Sequence, residues 1–305
     1  MPGLNGLQTL EAIQRLNASR APAAEMGAIM VSAFTRRGAD VTVRALQAGA
    51  FDFVTKPSGP SADSNLAVLR RQLAAQIRLF MARRPAANVR RAPTDARCRP
   101  APAGRVTRSR HAARAILIAS STGGPRALDA LLPDLCTRVE APVVIVQHMP
   151  PPFTRSLADS LARRLGTPVV EASDGEPLRP GTVYIAPGGR HLVLRAQGSR
   201  LLTGLNDQPP ENHCRPSADV LFRSAAAALG GEAVAVVLTG MDCDGTAGLR
   251  PLKRAGAYVI AQDEATSVVW GMPGNVVRAG LADEVLPLGE IAAVVQSLVG
   301  GRRAH

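Results

Sequence analysis

Residues 115–125, AILIASSTGGP, decide the fold through the order of their residue types. Residues 115–120 are apolar or small with no polar alternation, which reads as a strand buried on both faces, as inside a parallel sheet. Gly123 and Gly124 permit a tight turn directly after it, and a helix is predicted from about Pro125 to Leu135. The strand, turn and helix make the first half of a βαβ unit, and the alternation continues downstream. APVVIVQHMP at 141–150 reads as a strand and FTRSLADSLARRL at 153–165 as a helix. VVEAS, TVYIAP and HLVLRA supply shorter β-like pieces between 169 and 196. DVLFRSAAAAL at 219–229 is helical, AVAVVLTG at 233–240 is a buried strand, and AYVIAQ at 257–262 is one more. The prediction is an α/β fold whose C-terminal part is a mainly parallel, doubly wound, Rossmann-like sheet covered on both faces.

Upstream the pattern has a different rhythm. GLQTLEAIQRLN at 6–17 places Leu7, Leu10, Ile13 and Leu16 at helical spacing. GAIMVSA at 27–33 is a short strand, VTVRALQAGA a helix ending at Gly49, and FDFVTKP a second strand, giving an αβαβ series. One long helix follows at 64–84, with Leu66, Leu69, Leu73, Ile77 and Leu79 or Phe80 as its apolar stripe. Residues 83–114 then hold ten arginines against one acid, Asp95. That segment supplies nine of the twelve net positive charges of the chain. It is rich in Pro and Ala, lacks interleaved aromatics and has no periodicity, which describes a solvated linker rather than a nucleic-acid surface.

The chain of 305 residues exceeds the size at which one hydrophobic core stops growing, so two domains are expected. No apolar run reaches the ~18 residues that cross a bilayer, and no secretory signal follows Met1. The expected compartment is the cytoplasm, with no membrane insertion. Cys98, Cys136, Cys214 and Cys243 show no C-x-x-C spacing and read as free thiols. No H-E-x-x-H or comparable ligand cluster occurs, so no metal and no cofactor is assigned.

In open α/β sheets ligands bind beyond the carboxyl ends of the strands. Ser120 and Ser121 end the first strand of the main sheet, His148 ends the second, and Asp242 and Asp244 follow AVAVVLTG. A serine hydroxyl needs an imidazole to take its proton, and the imidazole needs a carboxylate to fix its tautomer and stabilise its charge. These strand ends therefore supply a nucleophile, a base and an orienting acid. Chemistry alone leaves Ser120 and Ser121 open. Gly123 sits where exposed amides at a helix start serve an oxyanion, and Met241 offers a further amide. His191 and His213, with Arg215, lie in polar loop segments and are candidate cleft residues, solvated or structural roles being the favoured reading.

Several segments together resemble the CheB family of chemotaxis protein-glutamate methylesterases. ASSTGGP at 119–125, QHMPPPFTRSLADSL at 147–161, YIAPGGRHL at 184–192, RPSADVLF at 215–222, LTGMDCDGTAG at 238–248 and AQDEATSVVWGMP at 261–273 occur in the family's order. The resemblance implies Ser121 as nucleophile, His148 as general base, Asp244 as its partner, and amides near Thr122 and Met241 at the oxyanion. It implies hydrolysis of γ-glutamyl methyl esters on the helical cytoplasmic domain of methyl-accepting chemotaxis receptors, releasing methanol, and deamidation of receptor glutamines by the same acyl chemistry. Ala119 and Ser120 replace the family's Gly-Ala, and Asp242 stands where glycine is common. That second carboxylate is expected to raise a coupled pKa or reshape the loop.

Residues 1–58 resemble the second half of a response-regulator receiver domain with a partial flavodoxin-like fold, whose last helix extends to 84. Ser32 corresponds to its hydroxyl switch residue and Lys56, within Thr55-Lys56-Pro57, to its lysine. The phosphoacceptor aspartate is absent from this sequence. In the family the chemotaxis histidine kinase phosphorylates the receiver and relieves its block of the active site, so weak or lost regulation is expected here. The organisation expected is a partial receiver at 1–58, a helix and linker at 59–113, and a catalytic domain at 114–299. Two rival readings are a catalytically inactive receptor-binding scaffold of the same fold and a DNA-binding response regulator. The second finds no helix-turn-helix pattern to support it.

Overall fold

The structure, a computed structural model, describes residues 3–20, 24–83 and 113–299. The arginine-rich segment between residues 84 and 112, Cys98 included, lies outside the described residues.

The N-terminal unit follows its sequence pattern closely. Helix α1 (Gly6–Asn17) begins at a capping box in which the Asn5 side chain accepts from the Gln8 amide and the Gln8 side chain accepts from the Asn5 amide. Strand β1 (Ile29–Ser32), helix α2 (Arg36–Gln47), strand β2 (Asp52–Thr55) and helix α3 (Ala62–Arg83) complete it. β1 and β2 pair in parallel, Ile29 opposite Asp52 and Ser32 opposite Thr55. Thr35 caps α2 by accepting from the Gly38 amide.

The larger unit opens with β3 (Ala115–Ser120), every residue of which is buried, and turns through Gly123 into α4 (Gly124–Cys136). β4 (Val143–Gln147), α5 (Phe153–Leu165), β5 (Val169–Glu171), β6 (Val183–Ile185), β7 (His191–Gln197), β8 (Arg200–Asn206) and α6 (Ala218–Leu229) follow. β9 (Ala233–Val237), α7 (Thr246–Arg254), β10 (Tyr258–Gln262), α8 (Met272–Arg278), β11 (Glu284–Leu286) and α9 (Leu288–Val299) end the chain of elements.

Seven strands form one sheet in the order β11-β10-β9-β3-β4-β6-β5, with every pairing parallel. Two apolar layers cover it. Leu128, Leu132, Leu157, Leu161, Ile291 and Val295 of α4, α5 and α9 pack on one face, together with Val43 and Leu46 of α2. Leu221, Phe222, Leu249, Leu252 and Val276 of α6, α7 and α8 pack on the other. Strands covered on both faces need apolar side chains at every position, which is why β3, β4 and β9 read as continuous apolar runs. The doubly wound parallel sheet is as the sequence indicates.

HLVLRA belongs to no part of that sheet. It is β7, paired antiparallel with β8 across the two-residue turn Gly198-Ser199, in a separate ribbon. Gly198 has φ +59°, a value the first turn position of such a hairpin demands. Leu192, Leu194 and Leu201 face the core while Val193 and Leu202 are half-buried and Arg195 and Arg200 exposed, a one-sided tendency that suits an antiparallel ribbon over a helix layer.

No helix among the described residues is long and apolar enough to cross a membrane.

Candidate active site

β3 lies between β4 and β9, where successive strands are added in opposite directions, so the crevice beyond its carboxyl end is the switch point of the sheet. Successive side chains there point to opposite faces. Ser120 is wholly buried and donates to Gln147 Oε1 at 2.7 Å, while Gln147 Nε2 donates to the Ser121 carbonyl at 2.9 Å. Gln147 also presses on Gly124, where a Cβ would lie 2.0 Å from its Oε1, so no larger residue fits. Ser121 is half-buried and shares a pocket with His148. The room left in it is about 30 Å³, enough for a water and too little for a side-chain ester.

Gly123 caps α4 with φ +80°, and a Cβ on it would sit 2.6 Å from Val268 Cβ. The amides of Thr122, Gly123 and Met241 have no acceptor among the described residues. The start of a 13-residue helix adds partial positive charge beside them. Such amides suit a developing oxyanion.

His148 Nε2 lies 2.7 Å from Asp244 Oδ2. Asp244 is wholly buried. Its Oδ1 accepts from Ser217 Oγ at 2.7 Å, Asn212 Nδ2 at 3.2 Å and the Asp219 amide at 3.2 Å; its Oδ2 also accepts from the Ala218 amide at 2.6 Å. Burial pushes the carboxyl up, but the His148 hydrogen bond and charge, with Ser217 and Ala218, outweigh it and hold Asp244 below the ordinary carboxylate value. Asp242, the extra carboxylate, is exposed in left-handed backbone with φ +67°, and Asp244 is lowered rather than raised beside it. Asp219 is the acid that moves up, to about 6, through burial and then the Asp244 charge, against bonds from Gly248 and Asn212.

The other ring nitrogen, His148 Nδ1, lies 3.5 Å from Cys214 Sγ. Burial disfavours the imidazolium, yet the bonds to Asp244 and Cys214 override it and raise His148 above its ordinary value. Cys214 thereby departs from the expected bland thiol. The Cys214 sulfur, a His148 nitrogen and an Asp244 oxygen lie within 4.8 Å of one another, a grouping with metal-ligand spacing that the sequence reading did not foresee. Chain separations of 66 and 96 residues hide it from any local motif.

The N-terminal unit reaches the same place. Asp52 Oδ2 accepts from Thr122 Oγ1 at 2.6 Å, and Asp52, Phe53 and Leu46 line the Ser121 pocket. Burial raises the Asp52 carboxyl despite bonds from Thr122, the Phe53 amide and Gln76. Phe53 and Phe34 pack on Phe153 of α5, with ring centroids 4.5 and 6.1 Å away. Gln47 accepts from Ser160 at 2.8 Å. Leu46, Asp52 and Phe53 thus form one side of the pocket.

Ser32 and Lys56 sit apart from this contact: Ser32 accepts from Thr42 Oγ1 at 2.7 Å, and Lys56 is exposed, its amide donating to the Ser32 carbonyl. His191, offered as a cleft residue, is instead fully buried. Its Nδ1 accepts from the Ser217 amide and its Nε2 faces the Pro209 carbonyl, so the ring ties down the 209–217 loop. Arg215 donates to the carbonyls of Asp207 and Gln208 in that loop. Met241 is 40% exposed. Asn212, Cys214 and Ser217 are the site residues that sequence reasoning missed; RPSADVLF at 215–222 contains Ser217 without showing that its side chain turns inward, and Asn212 and Cys214 lie outside it.

Residues 116–295 match the family described as CheB methylesterase. A Nocardioides protein named protein-glutamate methylesterase/protein-glutamine glutaminase is 47% identical over 95% of this chain and 78% of its own length. A Caulobacter vibrioides protein, protein-glutamate methylesterase/protein-glutamine glutaminase 2, is 44% identical over 97% of this chain and 83% of its own. The crystal structure of the Thermotoga maritima CheB methylesterase catalytic domain is 45% identical, covers 61% of this chain and 99% of that one, and superposes with a TM-score of 0.60.

Proposed function

This chain belongs to the CheB methylesterase family, and from that premise we propose that it hydrolyses γ-methyl esters of glutamate side chains to carboxylate and methanol. Ser121 is the nucleophile, His148 the base and Asp244 the group that orients and charges the ring. The observation that carries this is the His148–Asp244 bond at 2.7 Å beside a half-buried serine, all at the switch point.

With Nε2 held by Asp244, Nδ1 is the nitrogen left for Ser121. Exchanging the weak S–H donor of Cys214 for the serine hydroxyl frees that nitrogen to accept a proton. Attack on the ester carbonyl then makes an oxyanion, met by the amides of Thr122, Gly123 or Met241. The imidazolium returns its proton to the departing methoxide, and water repeats the sequence on the acyl-enzyme. A γ-carboxamide enters the same cycle with ammonia as leaving group, which is the glutaminase activity.

The substrate is read as the cytoplasmic helical domain of methyl-accepting chemotaxis receptors, and the compartment as the cytoplasm. Residues 114–299 form the catalytic domain, 59–113 the connecting helix and linker, and 1–58 a partial receiver that answers, in a full-length form, to a chemotaxis histidine kinase. The contact of Asp52 and Phe53 with the Ser121 pocket supports a restraining role for that unit.

A serine-directed fluorophosphonate tests the nucleophile. Modification of the peptide that carries Ser121, absent in Ser121→Ala, is expected. Failure to label the parent chain under conditions that label a related methylesterase would favour an inactive scaffold of the same fold.

A further inference from the structure

We propose that Cys214 and His148 form an inhibitory site for a thiophilic divalent cation, Zn²⁺ being the ion whose chemistry fits best. Cys214 Sγ and His148 Nδ1 stand 3.5 Å apart. A tetrahedral zinc with Zn–S ~2.3 Å and Zn–N ~2.0 Å separates its sulfur and nitrogen ligands by about 3.5 Å, so the two atoms already span one edge of that coordination shell. Asp244 completes the arrangement from behind. Its oxygens are occupied by Ser217, Asn212, Ala218 and Asp219, and by His148 Nε2. It therefore serves as the carboxylate that fixes the ring tautomer and directs the Nδ1 lone pair outward, the support that metal-binding histidines ordinarily receive.

Binding forms a Zn–S and a Zn–N bond. The thiol proton passes to solvent, no electrons change hands, and water fills the remaining positions. The ion sits on the one nitrogen that the proposed mechanism needs for the Ser121 proton. Zinc and catalysis are then mutually exclusive, and the inhibition is reversible by chelation. The inhibitory consequence rests on the proposed function; the binding site itself does not.

The test uses the full chain with zinc chloride and, separately, cobalt chloride. Cobalt bound by a thiolate gives a near-ultraviolet charge-transfer band, which is expected in the parent, absent in Cys214→Ala and weakened in His148→Ala. Zinc should shield Cys214, but not exposed Cys243, from iodoacetamide as read by peptide mass. Micromolar zinc should inhibit ester hydrolysis, with the half-inhibitory concentration, each protein being scaled to its own zinc-free rate, at least tenfold higher in Cys214→Ala. A band that persists unchanged in Cys214→Ala, or equal inhibition of both proteins, overturns the site. If the chain proves inactive as an esterase, the cobalt band and the alkylation pattern still decide the binding.

Discussion

Replacing Asp244 by asparagine probes the site at the point where its geometry is most constrained. The carboxylate accepts five hydrogen bonds at distances of 2.6–3.2 Å in a place with no exposure. An asparagine has one acceptor oxygen and one donor nitrogen. With the nitrogen at the Oδ2 position it confronts the Ala218 amide, and His148 Nε2 must become an acceptor, which puts the ring proton on Nδ1 and removes the base. With the nitrogen at the Oδ1 position the tautomer survives, but the Asp219 amide and the Asn212 amide group face a donor. A buried donor left without an acceptor costs about 1–3 kcal/mol. The imidazolium also loses a charge that, at an effective dielectric near 20 and a charge separation of about 4 Å, stabilises it by about 4 kcal/mol. The expected result is a loss of about 2–4 kcal/mol in urea unfolding and a fall in kcat/KM of about a thousandfold. Methanol release and equilibrium unfolding read the two quantities. Retention of kcat/KM within tenfold, with an unchanged unfolding midpoint, would refute this account of Asp244.

Ser217→Ala removes one of the five donors and leaves four, so kcat/KM should fall about tenfold, the effect of ~1.4 kcal/mol, with KM unchanged. Phe153→Ala deletes a wholly buried ring that joins the two units; a loss of about 3–5 kcal/mol is expected, together with faster fluorophosphonate labelling of Ser121 as the Asp52–Thr122 contact loosens. Burial raises the Asp52 carboxyl above the ordinary aspartate value. It therefore contributes most favourably below that value, and its contribution declines as pH rises to the raised folded value. Asp52→Asn keeps an acceptor for Thr122 and should flatten that decline in unfolding measured across pH. Asp244 runs the other way. Its contribution is full above the ordinary aspartate value and is lost as pH falls below it toward the depressed folded value, so the acid limb of the stability curve should shrink in Asp244→Asn.

Much of the fold was legible because burial on both faces leaves a plain signature. AILIAS, PVVIVQ and AVAVVLTG lack alternation, and the glycine pair after AILIAS has a single physical outlet. Gly124 must admit Gln147, and Gly123 must take φ +80°. Ser121, His148 and Asp244 were legible for a related reason, since each directly follows such a strand or its loop. The β7–β8 ribbon was half seen: HLVLRA reads as β, but only the strand after Gly198 shows that its partner is local. The bonds that position Asp244 were not legible. Ser217, Asn212 and the amides of 218 and 219 converge on it through the turn into α6, and neither propensity nor spacing encodes which side chains point inward there. Cys214 is the free thiol expected, but its contact with His148 was not legible, because the ring lies 66 residues away in sequence. The closure of the Ser121 pocket by Asp52 and Phe53 depends on how two units pack, which their separate periodicities do not specify.

Methanol released from receptor membranes carrying methylated glutamates, measured for the parent chain and for Ser121→Ala at equal concentration, tests the central claim most directly. Release by the parent that disappears in Ser121→Ala is the predicted result. Release that persists in the variant would contradict Ser121 as nucleophile, and no release by the parent, even after Phe153→Ala opens the pocket, would contradict the hydrolase itself.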